Sequence, residues 1–555
     1  MKTKFIIISG GVISGLGKGV ISASIAFLLK RSGFSVEPIK CENYLNIDAG
    51  TINPIEHGDV FLCADGTEAD MDLGTYERFL QEEMGKENFV TMGKIYKTVI
   101  DKERRFEYNG KDLSAIPYIT DQIQEFWIKA ANKKNADFVI VELGGTVGEY
   151  QNALYYEAAR ILNLKNPDNT LFIHLAYMPF PKHLGEPKTK PIQLSVITLR
   201  TLGINPDFLV VRSEIPVDKK RREKIALYCN LDPSGIISAP DVNSIYEIPL
   251  LLKKQDLHKK ILSKFTLKPK RQNFLDWEKL NQRVKRIRKK PPTAKIAIVG
   301  KYFKTGDYEL KDAYASLFSA IDHAGFFWGK NIDTEWISAE EVDKFGPERF
   351  LKNADGIIVP IGWGKRGAEG MIKAAGYARD KKIPYLGLCY GMQLAVVSFA
   401  RDILGWKNAN TEENDPKTPY PVIHFIPEQR ELIKKRAYGG TMRLGDWSAK
   451  VKENTYTHKI YAKYESFSDK KNSIIIERHR HRYEFNNKYA KDFEKAGLVI
   501  SARSLKEGLV EFIEIPKNIH PFYIGTQAHP EYKSTPLKPH PVFIEFLRVI
   551  SKSSR

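Results

Sequence analysis

Short runs of β-branched and other apolar residues recur along the chain, at 5–9, 138–143, 171–175 and 208–211, then at 295–299, 356–359 and 385–388. Between them lie amphipathic stretches of helical length, so strand and helix alternate. This alternation predicts α/β architecture with largely parallel sheets, because parallel neighbours need a long crossover, usually a helix. It breaks once. From Asp276 to Pro292 the sequence turns polar and basic, with Lys285, Arg286, Arg288, Lys289 and Lys290 running into Pro291 and Pro292. The predicted organisation is a domain at 1–270, a linker at 271–293 and a second domain at 294–555, each a mainly parallel sheet flanked by helices. No internal repeat or low-complexity tract interrupts it.

Composition narrows the classes. A chain of 555 residues with 42% hydrophobic content has material for more than one core. Cys41, Cys63, Cys229 and Cys389 are too few and too scattered for a disulfide framework, and no CxxC pair suggests zinc. A reducing, cytoplasmic setting is expected. Lys2 and Lys4 precede an apolar run too short for a signal peptide, which reads as a buried strand, and no run is long enough to predict a membrane span. The net charge of +19 raises nucleic acid as a partner. The excess is spread along the chain without a recognised nucleic-acid module, so a lysine-rich surface and sites for nucleotide triphosphates are the better readings. Neither nucleic acid nor membrane is an expected partner.

Directly after the first run comes Gly10-Gly11-Val12-Ile13-Ser14-Gly15-Leu16-Gly17-Lys18-Gly19, then a helical pattern from Val20 to Lys30. Glycines let backbone N–H groups turn inward around a phosphate, the helix N-terminus adds partial positive charge, and Lys18 adds a full one. A nucleotide triphosphate is the expected guest. The loop departs from the standard P-loop, with Gly19 where a serine or threonine would ligate magnesium. Carboxylates must then do so. The candidates are Asp72, in an acidic stretch, and Glu142, which ends an apolar strand. Lys40 follows a second short strand at 35–39, and spacing alone does not decide its role.

The second half carries different chemistry. Tyr385-Leu386-Gly387-Leu388-Cys389-Tyr390-Gly391-Met392-Gln393 reads as a buried strand, a tight Gly-x-Cys-x-Gly turn and a helix. The flanking glycines permit a strained turn and the helix N-terminus favours the thiolate, making Cys389 a candidate nucleophile. Gln527-Ala528-His529-Pro530-Glu531 offers a histidine base with a carboxylate two residues on to orient it. A lone buried cysteine or histidine is usually structural. The conjunction is far more specific.

The Gly-x-Cys-x-Gly turn with His529, Pro530 and Glu531 resembles the class I glutamine amidotransferases, which release ammonia from glutamine through a γ-glutamyl thioester. A nonstandard P-loop, dethiobiotin-synthetase-like amidoligase ahead of that domain resembles the CTP synthase family. The resemblance runs nearly end to end, most densely at 10–24, 53–79, 141–148, 185–193, 224–230, 241–249, 439–445 and 477–484. It implies an ATP-dependent ligase that aminates UTP to CTP, with Mg2+ as cofactor. It further implies that Gly15, Leu16, Gly17, Lys18, Gly19, Val20 and Lys40 hold ATP, that Asp72 and Glu142 bind the metal, and that Arg212, Asp241 and Val242 border the adenosine. Ser14, Glu149, Tyr150, Gln151, Lys188, Thr189, Lys190, Pro191, Ile192, Gln193 and Lys224 would form the UTP and CTP site. In this family neighbouring subunits complete that site, so a homotetramer is implied, with filaments as a further assembly. Gly362 would supply an oxyanion-hole N–H, while Tyr390, Gly391, Met392, Gln393, Glu413 and Arg482 would bind L-glutamine. Pro54, His57 and Val60 match the stretch lining the ammonia passage. CTP as feedback inhibitor and GTP as allosteric activator complete the expected ligands.

Some positions depart from the family pattern. Ile361 replaces a glycine in the oxyanion loop Pro360-Ile361-Gly362-Trp363-Gly364, a costly change where φ must be positive. Ala528 stands for an aromatic and Tyr390 for an aliphatic residue, which should alter packing more than chemistry. Glu149-Tyr150-Gln151 stands for Asp-Ile-Glu and Tyr118 for a histidine, which predicts altered CTP inhibition. Extra residues at 302–315, with Ala315 in place of a lysine, predict weaker GTP dependence, although Arg366 and the 439–445 segment remain. Rival readings are a paralogue aminating another pyrimidine nucleotide, a nucleotide-gated assembly module and a DNA-associated ATPase. Retention of Lys18, Asp72, Glu142, Cys389, His529 and Glu531 argues against the second, and the amidotransferase motifs against the third.

Overall fold

Phe5, Ile6, Ile7 and Ile8 are all fully buried, which consecutive strand residues achieve only when both faces of the sheet are covered. In the computed structural model, which describes residues 2–53, 58–302, 304–305, 308–309, 311–426, 429 and 439–553, they form β1 (Lys4–Gly10) in the middle of a seven-stranded sheet. Along the chain follow α1 (Lys18–Arg31), β2 (Val36–Glu42), the short strands β3 (Val60–Leu62) and β4 (Glu68–Asp70), β5 (Phe89–Thr91) and β6 (Phe138–Leu143). Next come β7 (Thr170–Tyr177), α2 (Lys190–Thr201), β8 (Phe208–Ser213) and β9 (Ile236–Pro240). The sheet runs β5-β2-β6-β1-β7-β8-β9 with every neighbour parallel. Ligands of such sheets bind outside the carboxyl ends of the strands. The register sets Lys40 beside Glu142 at that end, and Glu142 beside Ile8, two residues before the glycine loop begins.

The polar stretch that reads as a linker folds as α3 (Leu275–Arg288), whose Trp277 and Val284 are buried. Two compact units divide within it: Met1–Ala49 with Asp72–Gln282, and Gly50–Met71 with Arg283–Arg555. The second unit is built on β10 (Ala294–Gly300), β11 (Ile332–Ser338), β12 (Gly356–Val359), β13 (Tyr385–Leu388), α4 (Tyr390–Asp402), β14 (Arg443–Val451), β15 (Ile474–His481), β16 (Val499–Ser504), β17 (Val510–Ile515) and β18 (Tyr523–Thr526). Its sheet runs β11-β10-β12-β13-β18-β17-β16-β14-β15. The first five strands are parallel, as expected. Beyond β18 every pairing is antiparallel. Short connections such as 505–509 and 516–522 cannot span a parallel crossover, and they reverse the chain instead.

The segment Gly50–Met71 stands apart in sequence from the unit it packs in, which the 1–270 and 294–555 division does not anticipate. Its antiparallel β3–β4 hairpin is held by second-unit groups: the Tyr532 hydroxyl donates to Val60 O at 2.9 Å and Arg478 Nη1 to Leu62 O at 2.9 Å. Arg480 Nε donates to Glu68 Oε1 at 2.7 Å and its Nη2 to Gly50 O at 3.1 Å. Glu68 and Arg480 are both buried, so losing one partner would leave an uncompensated charge at a cost of about 3–5 kcal/mol.

Candidate active site

At the carboxyl edge of the first sheet, Gly15 and Gly17 take φ of 71° and 82°, the left-handed region that glycine enters without a steric penalty. Lys18 opens α1 and its Nζ donates to Gly145 O at 2.7 Å. Gly19 explains the departure from the P-loop. A Cβ there would lie 1.8 Å from Asp72 Oδ1, so a carboxylate occupies the space a serine or threonine side chain would need. Lys40 Nζ collects three carboxylates: Glu142 Oε1 at 2.9 Å, Glu42 Oε1 at 3.2 Å, and Asp72 in still closer contact. The Tyr76 hydroxyl donates to the other oxygen of Glu142. Burial holds Glu142 above the usual carboxylate range although Lys40 pulls it down. Burial, and then the Lys40 charge, lower the Lys18 ammonium. The cluster already balances a cation against Asp72 and Glu142, and an all-oxygen donor set of this kind fits magnesium.

The structure brings some of the remaining nucleotide candidates together in two groups and leaves Ser14 and 149–151 outside both. Arg212 Nε donates to Leu16 O at 3.1 Å and Nη2 to Asp241 Oδ1 at 2.9 Å, bringing those three together beside Val242. Lys188, Thr189, Lys190, Gln193 and Lys224 line a cavity of about 350 Å³, whose wall also includes Lys220, Arg221 and Tyr228. Pro191 sits in the first turn of α2, where its missing N–H costs nothing, and Ile192 anchors the helix in the core. Ser14 and Gln151 are exposed, and Tyr150 almost wholly so. Glu149 turns inward, where its Oε1 accepts from the Thr146 N–H at 2.7 Å and Oε2 from Asn43 Nδ2 at 3.0 Å.

His174 escaped sequence reasoning because it lies in an apolar strand. Its Nδ1 shares a hydrogen bond with Ser9 Oγ at 2.9 Å and its Nε2 another with Ser195 Oγ at 2.7 Å. Burial, aided by Lys18, pushes the imidazole down to about 3, so it stays neutral and ties β1 to α2. The signal was one polar residue inside β7.

In the second unit Cys389 joins β13 to α4 with φ 51° and ψ −102°, a strained elbow. Both flanking glycines are required: a Cβ on Gly387 would meet Gly391 C at 2.8 Å, and one on Gly391 would meet Val359 O at 1.9 Å. His529 Nδ1 donates to Glu531 Oε1 at 2.8 Å, and the ring stacks on Tyr532 with centroids 5.2 Å apart. Burial opposes charging this imidazole, yet the Glu531 carboxylate and then Cys389 outweigh it and lift His529 to about 10. A charged imidazole stabilises a thiolate. Glu531→Gln should cut glutamine turnover by about 10²–10⁴-fold and move the alkaline limb of its pH profile downward, since less holds the proton on His529. A pH–rate series on glutamine hydrolysis checks both.

The candidate oxyanion loop, 360–364, is held by charged side chains. Lys301 Nζ donates to Trp363 O at 2.9 Å and also to Gly364 O, while Glu413 Oε1 accepts the Gly364 N–H at 2.7 Å. Burial pushes Lys301 down to about 8. Tyr390, in place of an aliphatic residue, sets its hydroxyl 3.0 Å from Gly364 O and 2.9 Å from Asn414 Oδ1, within reach to donate to either and tie the elbow to the loop. Ile361 has no positive φ and packs in the core, so its β-branch carries no left-handed strain. Gly362 lies against the Tyr390 ring, which a Cβ would approach to 3.2 Å. Met392 and Gln393 are buried on α4, and Arg482 Nη1 donates to Thr441 Oγ1 at 2.9 Å. Val60 is buried as well, while Pro54 and His57 lie outside the described residues. Among the described residues no helix is long and apolar enough to cross a membrane.

Residues 4–267 match the family described as the CTP synthase N-terminus, and residues 309–549 match the class I glutamine amidotransferases. A curated CTP synthase of Caldanaerobacter subterraneus subsp. tengcongensis is 44% identical over 548 residues, 99% of this chain and 98% of its own length. That of Sulfurisphaera tokodaii is 48% identical over 555 residues, 98% and 99% of the two chains. A solved structure of the Trypanosoma brucei CTPS glutaminase domain with bound acivicin covers 47% of this chain and 94% of its own, at 33% identity and a TM-score of 0.41. Two family matches in tandem, and relatives of this identity along nearly the whole length, place the chain in the CTP synthase family.

Proposed function

We propose that this chain aminates UTP to CTP at the expense of ATP, with ammonia released from glutamine in its second unit. The observation that carries the reading is the pairing, in one chain of this family, of a Glu531-supported His529 at Cys389 with the Lys18, Lys40, Asp72 and Glu142 cluster. The Cys389 thiolate attacks the glutamine amide, forming a thioester while His529 gives its proton to the departing ammonia. Water then releases glutamate and restores the thiol. Gly362 donates to the oxyanion, and Glu413 and Arg482 receive the amino-acid end of glutamine.

In the first unit the C4 oxygen of uracil is a poor leaving group until the γ-phosphoryl of ATP is transferred to it. Ammonia then adds at C4 and phosphate departs. Lys18 and Lys40 neutralise the transferred charge, and the glycine loop orients the phosphates. Asp72 and Glu142 would hold Mg2+, which supplies Lewis-acid charge when bound. The cavity at Lys188, Lys190 and Lys224 is the UTP site, completed in a homotetramer by neighbouring copies. Val60 belongs to the stretch that matches the family's ammonia passage. An enclosed path keeps ammonia unprotonated and nucleophilic.

The direct test is CTP formation from UTP, ATP, Mg2+ and glutamine, with other pyrimidine nucleotides in place of UTP as the comparison. Turnover of another nucleotide in preference to UTP would overturn the reading. The same assay addresses regulation. With Tyr118 and Gln151 in place of the family's residues, CTP should inhibit less potently than is usual for this family. With Ala315 in place of lysine, omitting GTP should depress glutamine-driven turnover only modestly. Potent CTP inhibition, or strict GTP dependence, would refute the respective expectation.

A further inference from the structure

A backbone carbonyl can only accept a hydrogen bond, and Tyr483 O accepts one from Gln393 Nε2 at 2.8 Å. That contact fixes which end of the Gln393 amide donates. The same nitrogen lies 3.1 Å from Gln527 Oε1, so the second amide is fixed in turn, with its own NH2 pointing the other way. It meets Cys389 Sγ at 3.5 Å. Both glutamines are buried; turning the Gln393 amide round would set its oxygen against the Tyr483 and Gln527 oxygens, and turning that of Gln527 would set donor against donor. The backbone is equally fixed: the Gln527 N–H donates to Glu511 O at 2.9 Å and the Cys389 N–H to Thr526 O at 2.7 Å.

From this relay we propose that Gln527 is a catalytic residue of the glutaminase reaction, donating an N–H to the Cys389 thiolate and so holding the nucleophile deprotonated and aimed. A donor at sulfur favours S⁻ over S–H. His529 supports the same charge but surrenders its proton to the departing ammonia. Gln527 keeps its hydrogen throughout, so support for the thiolate is already in place when the thioester is hydrolysed. The inference rests on Cys389 being the attacking thiol.

The test is the pH dependence of iodoacetamide alkylation at Cys389 in the full chain, followed by mass spectrometry of its peptide, for the parent, Gln527→Met and Gln527→Glu. Losing the donor should raise the alkylation midpoint by about one pH unit, and the carboxylate of Gln527→Glu should raise it further. For glutamine hydrolysis kcat should fall roughly tenfold or more, with KM within about twofold. Midpoints coinciding with the parent's would overturn the proposal. Near-UV circular dichroism monitors the fold. Should both variants lose that signal, Gln393→Leu, which frees the Gln527 amide to turn round, takes their place: a raised midpoint supports the assignment and an unmoved one refutes it. A Cys389→Ala chain that still consumed glutamine would instead refute the nucleophile reading itself.

Discussion

Glutamine should cease to drive CTP formation in Cys389→Ala, with the rate falling by on the order of 10⁴-fold or more, while ammonium salts at mildly alkaline pH sustain synthesis at close to the parent's ammonia-driven rate. The asymmetry follows from the division of labour. Cys389 sits in the second unit with Glu531-supported His529, whereas Lys18, Lys40, Asp72 and Glu142 all belong to the first. Removing the sulfur deletes the γ-glutamyl thioester and leaves the phosphoryl-transfer groups untouched. Chromatographic separation of CTP from UTP, with glutamine or with ammonium as nitrogen source, reads both rates. An equal loss in the two modes would mean that the thiol serves something other than ammonia release.

Lys18→Ala should do the opposite, lowering CTP formation about 10³-fold with either nitrogen source while glutamine hydrolysis continues. Lys18 Nζ is held by Gly145 O on the strand-end turn after Glu142, and burial together with Lys40 disfavours its charge until an anion arrives. A triphosphate is such an anion, so the ammonium is worth most when phosphate charge sits beside it. Alanine removes that charge and leaves the glycine loop free to form. Ammonia-driven synthesis at the parental rate would exclude Lys18 from the phosphate site.

Both candidate centres were legible in the sequence because the chemistry they offer is written locally. The glycine loop is ten consecutive residues, the elbow needs Gly387 and Gly391 within two positions of Cys389, and His529 finds Glu531 two residues on. Groups assembled from distant strands were not legible. Lys301 reaches the candidate oxyanion loop from just past β10, Gln527 reaches sulfur only through the fold, and His174 looked like core until Ser9 and Ser195 closed on it. Spacing left the place of Lys40 undecided, and register sets it beside Glu142. The parallel part of the second sheet followed from strand–helix alternation. Its antiparallel part did not, since charged runs such as those of β15 do not look like buried strand, yet Arg478, His479, Arg480 and His481 are all buried there. At Ile361 the sequence warned of strain, and the backbone has none of the feared kind.

The clamp between Glu68 and Arg480 bears on heredity as well as on stability. Arg480 also stacks its guanidinium 4.6 Å from the Trp363 ring, and its carbonyl lies 3.8 Å from the Cys389 sulfur. A gene severed between codons 270 and 294 would encode a glutamine-cleaving protein whose arginine has lost its counterion to another polypeptide. Such a half would carry a buried Arg480 without Glu68 until the two polypeptides met. The hairpin's counter-charge is thus encoded more than two hundred codons upstream of the domain that uses it.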